Sequence, residues 1–206
     1  MIIGLTGQTG SGKSTVCDIL KKNGFYICSC DEVAKEIRSD AKTALKIADI
    51  FGYDLITEDG SLDRRLLAQR AFKDKATAEK LNRIMHPAIL SLSFERINSA
   101  LENGFEFAVL DAPQLFESGA EKNCDFIVSV LAEKCERLRR ILSRDNITEE
   151  EALRRIAVQF DDDFFIEKSD FVIYNDDISS LENKVTNLID SLRNYKHPED
   201  EQSVEK

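Results

Sequence analysis

Gly7-Gln8-Thr9-Gly10-Ser11-Gly12-Lys13-Ser14 matches G-x-x-x-x-G-K-[ST], a pattern whose residue types suit the holding of a polyphosphate. Its glycines let successive backbone N–H groups turn toward anionic oxygens, and a helix opening at the loop adds partial positive charge. Lys13 supplies a full charge for the β- and γ-phosphate oxygens, and Ser14 offers a hydroxyl to Mg²⁺. The expected nucleotide contacts are Gly10, Ser11, Gly12, Lys13, Ser14 and Thr15. The context fits as well. Residues 2–6 form a short apolar run that reads as a strand, and Ser14–Lys22 carries apolar residues at helical spacing. A plain Gly-rich turn with a structural lysine would not require that setting.

Such a loop serves switches, motors and kinases alike, so other residues must choose among them. A guanine-reading NKxD is missing: Asn183-Lys184-Val185-Thr186 lacks the Asp and lies in a helical pattern, and Asp111-Ala112-Pro113-Gln114 fails DxxG. The nucleotide is therefore expected to be ATP. Transfer to a small acceptor needs a carboxylate for the acceptor hydroxyl and cations for the moving group. Asp31 follows the Phe25–Cys28 run, at the edge where open α/β sheets place ligands, although an Asp there also suits a helix N-cap for residues 32–38. Asp111 ends the run Phe107–Leu110 and resembles a Walker B carboxylate supporting Mg²⁺, its plainer alternative being a turn-initiating Asp. Lys134, Arg137, Arg139, Arg140 and Arg144 face the single acid Glu136, a local reversal of the net charge of −10. Arg140 and Arg144 are four apart on one helix face and are the pair expected to clamp phosphate oxygens; a solvated face accounts for much of the rest.

The elements that must carry these residues follow from the apolar pattern. Runs at residues 2–6, 25–28, 107–110, 126–130 and 171–174 predict a parallel sheet of about five strands with helices on both faces, an α/β fold in three layers. The spans 1–40, 104–132 and 169–195 read as the nucleotide-binding core. Residues 41–103 read as a helical acceptor-binding insertion broken at Gly52, Gly60 and Pro87. Residues 133–168 hold two charged helical stretches separated near Asp145-Asn146, read as a lid. Residues 196–206 read as a flexible tail without a catalytic role. In Asn146-Ile147-Thr148, Thr148 with Glu151 reads as a helix capping box, not a glycosylation site.

At 206 residues and 42% hydrophobic content the chain can bury a sizeable core. The acidic balance argues against nucleic acid or anionic membrane as partner, and no apolar run approaches a membrane span. Five cysteines without CxxC spacing read as reduced thiols, and with no apparent secretion signal the expected location is the cytoplasm. No obligate protein partner is expected.

Several blocks together resemble the dephospho-CoA kinase family. Ile3-Gly4-Leu5-Thr6-Gly7 through Ser14 resembles the family's opening. Leu62-Asp63-Arg64, Leu67, Phe72, Leu81, Ile84 and His86-Pro87 resemble its LDR-to-HP block. Pro113, Leu115, Phe116, Glu117 and Ser118 resemble its PLLFES segment, and Arg140, Arg144, Arg155 and Gln159 fall at its lid spacing. The resemblance implies a P-loop kinase fold in which ATP donates its γ-phosphate to the ribose 3′-hydroxyl of dephospho-CoA. It implies Asp31 as general base, with Lys13 and Arg140 also catalytic. Arg64, His86, Pro113 and Leu115 join Asp31 on the acceptor side, Arg140 and Arg144 belong to the lid, Asn175 lies near the adenine, and Ser14 and Asp111 serve the metal. Gln114 departs from the PLLFE pattern, and Phe160–Ile166 reads FDDDFFI where the family usually has Pro and Lys. The remaining readings are a P-loop kinase for another small acceptor, such as a nucleotide or a shikimate-like alcohol, and a noncatalytic ATP-dependent regulatory protein.

Overall fold

A computed structural model describes residues 1–195. The stretch read as a flexible tail, from Lys196, lies outside the described residues. The chain divides into two compact units, one made of Met1–Ile27 with the chain from Ala100 onward, the other of Cys28–Ser99.

The first unit is built on the sheet. Strands β1 (Ile2–Gly7), β2 (Tyr26–Ser29), β3 (Ala108–Asp111), β4 (Phe126–Leu131) and β5 (Phe171–Tyr174) stand in the order β2-β3-β1-β4-β5. Each apolar run predicted as a strand became one, with ends displaced by a residue at most. β1 pairs in parallel with both β3 and β4, bringing Leu5 beside Asp111 and Val128, and β4 pairs in parallel with β5. Because side chains alternate along a strand, Ile3, Leu5, Val109, Val128, Val130 and Ile173 share one core. Helices α1 (Lys13–Lys22) and α9 (Leu181–Asn194) cover them, through Val16 and Leu20 on α1 and through Val185, Leu188 and Leu192 on α9. Burying those side chains contributes roughly 1.5–3 kcal/mol each, which fixes the register on which the loop after β1 depends.

Three helices follow β4: α6 (Lys134–Arg144), α7 (Glu149–Ala157) and α8 (Asp162–Lys168). The break at Asp145-Asn146 is where it was expected, but a third helix appears because the Asp161 carboxylate accepts from the Phe164 amide at 2.9 Å and restarts the chain. The capping box at α7 is present: Thr148 Oγ1 accepts from Glu151 N at 3.3 Å, and the Glu151 carboxylate accepts from Thr148 N at 3.0 Å.

The second unit contains α2 (Cys30–Ser39), α3 (Ala41–Phe51), α4 (Arg64–Ala71) and most of α5 (Lys75–Glu102), with Ser29, Asp40 and Asp63 as N-caps of the first three. Ile47, Phe51, Leu55, Leu67, Leu81 and Met85 make its core. Pro87 was expected to break the helical stretch, and it does not: α5 runs through it for 28 residues. A proline removes one ladder bond at a cost of about 3 kcal/mol, and here the buried Leu81, Met85 and Ile97 hold the helix on both sides of it.

Candidate active site

Gly12 is the N-cap of α1, with φ 90°, and no side chain caps the helix. Its first N–H groups are thus left for an external acceptor. The loop is pressed from behind by its neighbours. A Cβ on Gly10 (φ 80°) would lie 2.7 Å from the Arg137 carbonyl oxygen, and one on Gly12 would run into the Asn175 side-chain amide. Gly12→Ala therefore combines a left-handed backbone with a steric overlap, and a loss of about 2–3 kcal/mol is expected, seen as a lower denaturant midpoint.

The loop carbonyls are held from the same side. Asn175, buried just past β5, donates its Nδ2 to Ser11 O at 2.7 Å. One terminal nitrogen of Arg140 donates to Ser11 O at 3.2 Å and Gly10 O at 3.4 Å, and the other to Asn175 O at 2.7 Å. In a trans peptide the C=O and N–H point oppositely, so fixing Ser11 O turns the Gly12 N–H the other way. Gln8 Oε1, Ser11 Oγ, Arg140 Nε and Asn175 Oδ1 are buried without a partner, which concentrates unused hydrogen-bonding capacity around this one loop.

Lys13 forms an ion pair with Asp111 at the end of β3, both side chains about 15% exposed. Beneath them the Cys17 thiol is pushed up to about 12, first by burial and then by the Asp111 charge. A thiol at that value is protonated at pH 8, so iodoacetamide is expected to leave Cys17 unmodified in the native protein and to react with the exposed free thiol of Cys135, as peptide mapping would show. Ser14, Thr15 and Pro113 are exposed, whereas Leu115 is fully buried, a core position and not an accessible contact.

Arg140 and Arg144 do not converge. Arg144 is 64% exposed and held by Asp145 at 2.8 Å, as is Arg155 at 2.8 Å, because the carboxylate just past α6 captures both. Arg137 instead turns inward and braces the loop. It is 4% exposed, its Nε donates to Thr9 O at 3.1 Å and its NH2 to Gln159 Oε1 at 3.0 Å, while Gln159 Oε1 accepts from Thr9 N at 2.9 Å. The signal was available: Arg137 and Arg140 are three apart, and buried Ile141 four beyond Arg137 puts Arg137 on the inner face.

In the second unit Asp31 lies in the first turn of α2 and is exposed. The cap is Ser29, whose Oγ accepts from Glu32 N at 3.4 Å, so Asp31 has no capping duty. Arg38, two turns along α2, lines a cavity of about 310 Å³ with Arg64, Leu62, Leu67 and Phe72. Burial pulls the Arg38 guanidinium below its ordinary value, the charge of Arg64 adds to this, and that of Asp31 opposes it. A cavity with cationic and apolar walls suits a phosphorylated organic molecule. His86 is half-buried on α5, beside Pro87.

A parallel sheet with the phosphate loop after its central strand, and a carboxylate ending the adjacent strand, defines a P-loop nucleotide-binding fold. The loop, Asp111 and Asn175 all follow the carboxyl ends of strands, where such sheets bind ligands. The family model for dephospho-CoA kinase matches residues 1–180, and the chain belongs to that family. It is 42% identical over 174 residues to the dephospho-CoA kinase of Corynebacterium glutamicum, covering 84% of this chain and 87% of that one. Among solved structures it is similar to the dephospho-CoA kinase from Campylobacter jejuni, with TM-score 0.70 and 27% identity over 93% of this chain and 96% of the other. It is also similar to TT1252 from Thermus thermophilus, with TM-score 0.80 and 28% identity over the same shares.

Proposed function

We propose that this kinase transfers the γ-phosphoryl group of ATP to the ribose 3′-hydroxyl of dephospho-CoA, giving coenzyme A and ADP. The observation that carries the reading is the braced phosphate loop with Lys13 at its helix, in a chain of this family. Lys13 and the loop N–H groups hold the triphosphate and meet the charge that develops as the γ-phosphorus leaves its bridging oxygen. Asp31 accepts the proton of the 3′-hydroxyl, whose oxygen forms the new bond to phosphorus, and the electron pair of the broken bond departs with ADP. Arg140 holds the loop in its working shape and faces the nucleotide with Asn175. Arg38 and Arg64 receive the acceptor's phosphates, and Pro113 and His86 complete the acceptor side.

Ser14 and Asp111 present hard oxygen donors that fit Mg²⁺, an ion typically held by one or two protein groups together with substrate phosphates. When bound it neutralises phosphate charge. Residues 41–103 serve the acceptor and 133–168 act as the lid, with Arg144 able to join the nucleotide from there. Among the described residues no helix is long and apolar enough to cross a membrane. The reaction is assigned to the cytoplasm, where reduced thiols such as Cys17 persist.

The test is incubation of the purified protein with ATP, Mg²⁺ and dephospho-CoA. One ADP per molecule carrying a new ribose 3′-phosphate is the expected result. Turnover of shikimate or a nucleotide in place of dephospho-CoA would replace the acceptor, and tight ATP binding with no phosphorylated product would remove the catalytic reading altogether.

A further inference from the structure

The two variable positions that open the phosphate loop, Gln8 and Thr9, are tied to the chain that follows β4. Gln8 is 4% exposed, and its Nε2 donates to Asp162 Oδ1 at 2.7 Å and to Phe160 O at 3.3 Å. Thr9, the next residue, has both backbone polar groups engaged: its carbonyl accepts from Arg137 and its N–H donates to Gln159. The partner of Gln8 is itself fixed. Asp161 caps α8, Asp162 is that helix's first residue, and Phe160 stacks on Phe164 with ring centroids 3.9 Å apart, while Phe116 meets Phe164 edge-on at 5.3 Å. The acidic and aromatic stretch Phe160–Ile166 thus meets the loop through Gln8 and is itself held by its cap and ring contacts.

We infer that Asp162 is a positioning residue for nucleotide binding: through the Gln8 amide it holds the start of the phosphate loop in the shape that presents its N–H groups to the triphosphate. The physical basis is that each loop residue left unrestrained must be ordered when the nucleotide arrives, at a cost in affinity. Gln8 is well suited to the link because its amide is buried, and its hydrogen bond to a carboxylate is stronger than one between neutral groups. Arg137 lies close enough to Asp162 for the two charges to attract, so the Gln8 and Thr9 attachments support each other. This inference rests on the reading of the loop as the ATP site.

The experiment measures two quantities on the intact protein: the Kd for ATP in the absence of acceptor, and hydrogen exchange of the backbone amides in residues 7–12. Asp162→Ala and Gln8→Ala are each expected to weaken ATP binding about five-fold and to speed exchange in the loop. The double variant should be no weaker than Gln8→Ala, which already removes the link to Asp162. Asp162→Asn keeps a carbonyl acceptor and should stay within about two-fold of wild type. The KM for dephospho-CoA should not move. Unchanged affinity and exchange in Asp162→Ala would overturn the inference, as would additive losses, Asp162→Asn as weak as Asp162→Ala, or an equal rise in both KM values. If Asp162→Ala fails to fold, Gln8→Ala and Asp162→Asn carry the same test. Should wild type bind no ATP, the function proposed above falls, and the exchange measurement still reports whether Asp162 holds the loop.

Discussion

Lys13→Ala is expected to lower kcat/KM by on the order of 10³-fold, with the fold retained. The ammonium sits in a largely desolvated position, where a charge acts on phosphate oxygens far more strongly than it would in water. Neither lid arginine named above is free to replace it: Arg140 is occupied by Gly10, Ser11 and Asn175 carbonyls, and Arg144 is paired with Asp145. Removing Lys13 leaves Asp111 without its counter-charge, a modest structural cost at a carboxylate that keeps some contact with water. Formation of 3′-phosphate, ATP titration and thermal melting on one preparation separate the two effects. Lys13→Arg should not restore activity, because a planar guanidinium does not occupy the space of a compact ammonium. Near-normal phosphorylation by Lys13→Ala would sink the assignment of the loop.

Asp31→Asn is expected to lower kcat by about 10²–10³-fold, the usual contribution of a positioned base, while leaving the melting temperature almost unchanged. The separation is unusually clean here. Asp31 is exposed and makes no cap, and its place in the first turn of α2, where a carboxylate meets the helix dipole, is worth about 0.3–1 kcal/mol. Asparagine keeps the size and a hydrogen-bond acceptor and loses the negative charge with the capacity to take a proton. If the variant folds and keeps the wild-type rate across neutral pH, Asp31 is not the base.

The parts of this protein that were legible in its sequence are those encoded locally. Five apolar runs gave five strands, the glycine spacing of residues 7–14 marked the turn between β1 and α1, and Thr148 with Glu151 marked the start of α7. Each is a pattern a few residues long with one physical solution. Pro87 misled because a local rule met a helix held by side chains on both sides of it. The loop's supports were harder still. Arg137 reaches Thr9 across 128 positions and Asp162 reaches Gln8 across 154, and no spacing within the loop announces either. Arg144 pairs with the carboxylate of Asp145, one residue away, which its spacing from Arg140 did not announce.

The chain order of the sheet has a consequence for how the protein is made. β1 is synthesised before β3 and β4 and ends up between them, so Leu5 waits for Asp111 and Val128 before either edge of its strand is paired. Until then both edges of the strand carrying the phosphate loop are open to wrong partners. The intervening unit Cys28–Ser99 has its own core of mostly helical, local contacts, and such contacts form faster than distant strand pairs. Once that segment is compact, closing the sheet no longer requires ordering the whole intervening length of flexible chain.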